Sequence, residues 1–245
     1  MTDIRLFRIT KQFSGSDEAA VADLSLDVNS GEFLVVMGES GSGKTTLLRL
    51  IAGLEDPDVG DIYVGGEWMN NTGVGRRPVQ MIFQSLALWP HLKVMDERSY
   101  SNLSLPLKVR RFSPSQIMEK VRGVTTRVGL HQSLWGRKPD ELSGGERQRV
   151  ALARAMVVES KVFLMDEPLS SLDPISRPKM RTEIRRLHNE LHATTLYVTH
   201  SSGDAVAMAD RVAVMRAGRI VQVGTIKDLR ENPVESYVTE LLNST

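Results

Sequence analysis

The stretch Phe33-Leu34-Val35-Val36-Met37-Gly38-Glu39-Ser40-Gly41-Ser42-Gly43-Lys44-Thr45 decides the fold. Its first five residues are a short β-prone run. After Thr45, Leu47, Leu50, Ile51 and Leu54 recur at helical spacing, with Gly53 as a helix stop. Strand, glycine loop and helix therefore follow in turn. The loop fits G-x-x-x-x-G-K-[ST], in which backbone N–H groups wrap phosphates, the lysine reaches the β/γ oxygens and the hydroxyl meets Mg²⁺. A helix opening at such a loop points its first amides and its dipole at the anion. Gly38, Ser40, Gly41, Ser42, Gly43, Lys44, Thr45 and Thr46 are the candidate residues for holding a nucleotide triphosphate.

The rest of the chain is read outward from that unit. A chain of 245 residues without an obvious linker reads as one large α/β domain with a sizeable core. The 31 Lys+Arg against 30 Asp+Glu leave no global electrostatic footprint for nucleic acid, and none is expected as a partner. The pairs Arg76-Arg77 and Arg110-Arg111 read as solvated surface. The absence of cysteine excludes a disulfide framework and favours the cytosol. No segment approaches the roughly 18 uninterrupted apolar residues of a membrane span, and Met1-Thr2-Asp3-Ile4-Arg5 lacks a signal-peptide core. Service to a membrane would need spanning partner subunits.

Strands are expected at Ile4 to Ile9, Leu24 to Val28, Asp61 to Val64, Val79 to Phe83, Val162 to Met165 and Leu196 to Thr199. Val212 to Met215 and Ile220 to Val223 flank Arg216-Ala217-Gly218-Arg219, a hairpin signal. Between about residues 96 and 158 helical signals take over, which reads as a helical insertion in an α/β core. Within it Ser113-Pro114-Ser115-Gln116 offers an N-cap, proline at N1 and glutamine at N3, with Gly129 as the stop. A further helix is expected to start at Asp173-Pro174 and to bend at Pro178. Its His188 and His192 stand at i, i+4, but H-E-x-x-H needs glutamate where Asn189 stands. They read as a solvent-facing helix edge rather than a zinc site.

Two further motifs carry chemistry. Lys161-Val162-Phe163-Leu164-Met165-Asp166-Glu167 is a buried-strand pattern ending in two acids, where an α/β sheet presents groups to a ligand. Asp166 is a candidate Mg²⁺ ligand, and Glu167 a candidate base for water attacking a γ-phosphate. In Leu142-Ser143-Gly144-Gly145-Glu146, Ser143 and Glu146 make an S-x-x-E capping box, and the two glycines let backbone amides approach an oxyanion.

Taken together, these motifs resemble those of the ATP-binding cassette (ABC) ATPases, whose signature is LSGGQ or a close variant; here Glu146 stands for the usual glutamine. The resemblance covers essentially the whole chain. It implies an α/β fold, a P-loop NTPase core with a mixed sheet, an antiparallel β subdomain and a helical insertion subdomain. It also implies further site residues. Gln84 matches the Q-loop glutamine near Mg²⁺ and water, and Ser170-Ser171-Leu172-Asp173 matches the D-loop, with Asp173 at the dimer interface. His200 matches the switch histidine on the γ-phosphate, and Phe13 falls where an aromatic residue stacks on adenine, although an aromatic after a strand is also a core pattern. Ser201 stands where an aspartate usually follows the switch histidine, which leaves helix capping to Ser201 or Ser202.

Gln84 to Leu92 and Arg137-Lys138-Pro139 look like the ATPases of bacterial maltose, polyamine, iron and osmoprotectant importers. Many of those carry a further β-rich regulatory domain, and none is expected here because the sequence ends at Thr245. The implied protein is one ABC-type ATP-binding domain over 1–245, a peripheral subunit on the cytoplasmic face of the cell membrane. It would hydrolyse ATP with Mg²⁺ in a head-to-tail pair of protomers and drive integral membrane permease subunits served by a solute-binding protein. Thr45, Gln84 and Asp166 are then the metal residues. Glu167, His200 and Gln84 are the catalytic residues, and Ser143, Gly144, Gly145 and Asp173 act on the partner protomer's nucleotide. The alternative is a soluble, non-transport ABC ATPase, whose usual coiled coil or second cassette is not apparent. Leu86, Leu88 and Trp89 read either as a docking patch for the membrane subunit or as core.

Overall fold

Ten strands and eight α-helices make up the computed structural model, which describes residues 2–243. The strands are β1 (Ile4–Lys11), β2 (Val21–Val28), β3 (Phe33–Met37), β4 (Val59–Val64), β5 (Glu67–Trp68), β6 (Val79–Ile82), β7 (Val162–Asp166), β8 (Thr194–Thr199), β9 (Arg211–Arg216) and β10 (Arg219–Gly224). The helices are α1 (Lys44–Ala52), α2 (Leu105–Val109), α3 (Pro114–Arg127), α4 (Gly144–Met156), α5 (Ser176–Leu191), α6 (Ser202–Met208), α7 (Ile226–Glu231) and α8 (Ser236–Asn243). They fall into two units. The first takes the chain up to Met81, Lys161–Glu167 and everything from His188 onward; the second takes Ile82–Ser160 and Pro168–Leu187. This second, helical unit is wider than the insertion of about 96–158 read from the sequence.

The first unit is built on two sheets. Its six-stranded sheet runs β10-β9-β3-β8-β7-β6, with β9, β3, β8 and β7 parallel and β10 antiparallel to β9. Every residue of β3, β7 and β8 is buried, as parallel strands covered on both faces require. The four-stranded sheet, β2-β1-β4-β5, is antiparallel and alternates instead: Leu24, Leu26 and Val28 are buried while Ser25 and Asp27 are exposed. Its inner face joins one core with α1 and the larger sheet, including Ile4, Leu6, Leu47, Ile51, Leu164 and Leu196. Each such side chain contributes about 1.5–3 kcal/mol on burial. The hairpin between β9 and β10 turns through Ala217 (φ 45°) and Gly218 (φ 75°), the paired positive φ angles of a tight right-twisting connection.

One surface expectation fails here. Arg76 is exposed, but Arg77 is buried, because its guanidinium closes the C-terminus of α1 by donating from Nη1 to the Leu50 and Ile51 carbonyls at 2.7 and 2.9 Å. Burial lowers its pKa. The C-cap Gly53, at φ 75°, leaves the room: a side chain there would strike the Arg77 guanidinium.

In the helical unit α3 starts with the expected capping box, Ser113 accepting from the Gln116 N–H and Gln116 from the Ser113 N–H, and Gly129 ends it at φ 61°. α5 starts at Ser176 rather than at Asp173-Pro174. Asp173 Oδ1 instead accepts from the N–H groups of Ile175 and Ser176 at 3.0 and 2.9 Å. Pro178 then falls in the first turn, where an N–H has no intrahelical acceptor to lose, so the reason for a bend disappears. In the first unit, the solvent-facing reading of His188 also fails. That ring is buried, with Nδ1 2.9 Å from Thr195 Oγ1 and its edge against Phe33; His192 lies beyond the helix and is exposed. No group of three or more metal-ligating residues exists among the described residues.

Candidate functional site

The first unit carries the phosphate loop where β3 ends and α1 begins. Gly41 and Gly43 take φ 83° and 99°, a region that L side chains rarely enter. Space is a second constraint at Gly43, where a Cβ would run into the Ala20 carbonyl oxygen. Gly43 is also the N-cap of α1, and no side chain caps that helix start. Its first amides and the positive end of its dipole are the groups that bind an anion. Lys44 is buried behind the loop, with Nζ donating to the carbonyls of Gly38 and Glu39 at 2.8 and 2.6 Å and to Ser42 Oγ at 3.3 Å. Burial lowers its pKa, opposed by Glu167, Asp166 and Glu39. Tyr237, on α8, touches the loop as well: its hydroxyl accepts from the Glu39 N–H at 3.3 Å.

Two carboxylates stand beside the loop. Thr45 Oγ1 donates to Asp166 Oδ1 at 3.0 Å, and burial raises the Asp166 pKa against that hydrogen bond. Glu167 adopts φ 41°, a left-handed conformation rare outside glycine that clusters at functional positions, while its N–H still bonds the Val198 carbonyl. Its carboxylate lies 3.2 Å from Nδ1 of the exposed His200. Lys44, Thr45, Asp166, Glu167 and His200 are therefore all in this unit. Phe13 is here too, 38% exposed with Lys11 Nζ 5.7 Å from its ring centre, so the core reading of that aromatic fails. The Ser201 side chain does not cap α6; the Ser201 carbonyl receives Asp204 and Ala205 N–H groups. Buried Asp204 accepts from the hydroxyls of Tyr197 and Thr199, which ties the start of α6 to the end of β8 just before His200.

Gln84, Ser143, Gly144, Gly145 and Asp173 belong to the helical unit. Gln84 is exposed just after β6. At α4 the capping box forms as read: Ser143 Oγ accepts from the Glu146 N–H at 3.3 Å, and Glu146 Oε2 from the Ser143 N–H at 2.8 Å. Those bonds hold the Glu146 pKa below the usual carboxylate range. Ser143 is exposed and both glycines are partly so. In the turn after Gln84, Leu86 is buried, whereas Leu88 and Trp89 are half-buried.

The sequence reading missed Arg77, Arg154, Asp204 and Tyr237. Arg154 lies within a run of Ala, Leu and Val on α4, and a cation there is a signal that the pattern carried. Tyr237 has no comparable local signature, because its partners at Glu39 and Met215 are remote in the chain, and Asp204 meets Tyr197 and Thr199 only once β8 and α6 have packed.

The profile described as ABC transporter matches residues 21–170. The chain is 44% identical over 250 residues to the trehalose/maltose import ATP-binding protein of Thermococcus litoralis, covering all of this chain and 65% of that protein. It is 44% identical over 244 residues to the oligosaccharides import ATP-binding protein of Bacillus subtilis, again covering all of this chain and 65% of the relative. It thus spans about two thirds of these relatives' length, 65% in both cases. Among solved structures, the dimer of a bacterial ABC transporter cassette matches with a TM-score of 0.80 and 27% identity, covering 91% of this chain and 98% of that one. A post-hydrolysis state of the same cassette bound to ADP and Pi matches with a TM-score of 0.78 and 27% identity, at the same coverage.

Proposed function

The chain belongs to the ABC transporter family, and from that premise we propose that it is the ATP-hydrolysing subunit of a solute importer. The observation that carries the reading is Glu167. It projects from a left-handed turn at the end of a buried strand, beside Asp166 and 3.2 Å from His200, in the unit that holds the glycine loop.

The chemistry follows from these groups. Lys44 would exchange the Gly38 and Glu39 carbonyls for phosphate oxygens, and the α1 amides would take the remaining negative charge. Glu167 accepts a proton from water as that water's oxygen bonds the γ-phosphorus and the bridging bond to ADP breaks. His200 would hold the γ-phosphate, and Gln84 would orient the water. Phe13, exposed in the same unit as the loop, would stack on adenine. Thr45 and Asp166 bring a hydroxyl and a carboxylate oxygen within 3.0 Å of each other, hard donors that suit Mg²⁺. When bound there, Mg²⁺ would neutralise charge on the phosphate oxygens.

Ser143, Gly144, Gly145 and Asp173 would act on the nucleotide of a second protomer in a head-to-tail pair, a reading supported by the dimeric cassette. The relatives named for trehalose/maltose and oligosaccharide import support an importer, and its ATP-hydrolysing subunit would sit at the cytoplasmic face of the membrane. No helix among the described residues is long and apolar enough to cross a membrane, so permease subunits would do the spanning. Those subunits and a solute-binding protein would select the solute. The half-buried Leu88 and Trp89 suit a docking patch better than a core.

Glu167→Gln tests the reading. It should keep ATP binding, lower turnover by about two to four decades and trap an ATP-bound dimer. Near-normal steady-state hydrolysis would contradict it. Purification from the native membrane with permease subunits attached supports transport, and a chain recovered without them favours a soluble ATPase.

A further inference from the structure

Arg154, on the C-terminal half of α4, is not among the groups assigned to the chemistry. Its guanidinium donates from Nη1 to the Ala87 carbonyl at 2.6 Å and from Nη2 to the Leu86 carbonyl at 2.8 Å, and it lies 4.9 Å from the centre of the Trp89 ring. Burial lowers its pKa to about 10, and no carboxylate opposes that shift. The two carbonyls belong to successive left-handed residues, Leu86 at φ 60° and Ala87 at φ 45°, an arrangement that L residues avoid unless their surroundings impose it. Beyond them the chain is held from another side. Fully buried Asn102 accepts the Trp89 N–H at 2.9 Å and donates to the carbonyls of Trp89, Leu92 and Lys93 at 3.1, 3.0 and 3.2 Å.

We infer that Arg154 is the positioning residue that fixes the signature helix to the turn after Gln84, so that a displacement of residues 84–92 is carried to Ser143, Gly144 and Gly145. α4 is the lever. It runs unbroken from Gly144 to Met156, and Ser143 and Arg154 stand about 16 Å apart along it. A planar fork is needed at this position, since it satisfies two carbonyls at once and stacks on Trp89. A lysine reaches one carbonyl and stacks less well. The consequence for dimerisation rests on the proposed role of Ser143 to Gly145 in a second protomer's site; the link between the turn and α4 stands without it.

The test uses the full chain carrying Glu167→Gln, compared with the same chain also carrying Arg154→Met or Arg154→Lys. Affinity for a fluorescent ATP analogue should stay within about twofold, because the groups that Arg154 holds, the Leu86 and Ala87 carbonyls and the Trp89 ring, are not part of the phosphate loop. ATP-driven dimerisation, followed by sedimentation, should weaken by at least about tenfold in Arg154→Met and by an intermediate factor in Arg154→Lys. Val121→Ala, a buried truncation in α3, supplies a matched loss of thermal midpoint and should dimerise normally. An Arg154→Met chain that dimerises like its parent, or a Val121→Ala chain with an equal defect, overturns the inference. Should the parent itself fail to dimerise on ATP, the functional reading fails, and hydrogen exchange still decides the link. Arg154→Met must then speed exchange both at the Leu86 amide and at the Arg147 amide of the first turn of α4, with Val121→Ala speeding neither selectively. Unchanged exchange at either amide in Arg154→Met overturns it, and Arg154→Lys serves if the methionine variant does not fold.

Discussion

α1 and α4 both open at glycines, and they open differently. Behind Gly43, α1 has no side-chain cap, and Lys44 is folded onto nearby carbonyls. Behind Ser143, α4 closes on itself through a capping box that includes the Glu146 carboxylate. The first start keeps its amides and a desolvated cation for an anion, which, on the proposed function, would let it capture nucleotide alone. The second ties up the Ser143 and Glu146 N–H groups and already carries a negative charge beside its glycine amides, which, on the proposed function, would suit it to complete a site that another chain has charged. Helix N-termini with similar sequence signals thus differ in what they can bind.

The largest effect should come from Lys44→Ala. Removing the cation takes away charge-assisted hydrogen bonds worth about 1.5–3 kcal/mol each, so equilibrium binding should show nucleotide affinity falling by about two decades or more. Unchanged affinity would erase the contrast between the two helix starts. Ser143→Ala should do less and elsewhere. Loss of the N-cap should cost about 1 kcal/mol and lower the thermal midpoint by a few degrees, with monomeric nucleotide binding intact. A fall in monomer affinity would mean that α4 shares in the first capture.

Glu146→Gln sharpens the comparison further, because glutamine keeps the box and removes only the charge. ATP-driven dimerisation should strengthen by about two- to fivefold, the size of a single charge near a helix terminus. Its pH signature has a definite sign. The folded pKa of Glu146 is depressed, so its stabilising contribution is present above the ordinary value of 4.5 and is lost as pH falls through the lowered folded value. Thermal melts across that window should lose this component in Glu146→Gln; an unaltered profile would show that the carboxylate is not held as described.

Much of this was legible in the sequence because the signals were local. The strand-loop-helix at Phe33 to Leu54 needed only hydrophobic period and glycine placement, and both capping boxes needed only residues three apart. The failures at Arg77 and His188 were tertiary. Arg77 is buried because α1 ends against it, and His188 is buried because Phe33 meets its ring and Thr195 its Nδ1; α1 and Phe33 are far away in sequence, and Thr195 lies on the strand that follows. The start of α5 was misplaced by three residues because the Asp173 carboxylate bonds the next two amides in a turn, a competition that Asp-Pro composition alone does not resolve. In the site, the motif positions were readable, whereas the supports at Tyr237 and Arg154 depended on contacts across the fold, and the support at Asp204 on the turn from β8 into α6.

The central claim is that the start of α1 and the start of α4 serve one nucleotide from different protomers. It is tested most directly by sedimentation in ATP of Glu167→Gln chains carrying Ser143→Arg, Lys44→Ala, or an equal mixture of the two. Each variant alone should remain monomeric, Ser143→Arg with nucleotide bound and Lys44→Ala without. The mixture should form heterodimers that trap nucleotide at the one site where an intact loop meets an intact signature. A Ser143→Arg chain that dimerises on ATP as readily as its parent would contradict the account.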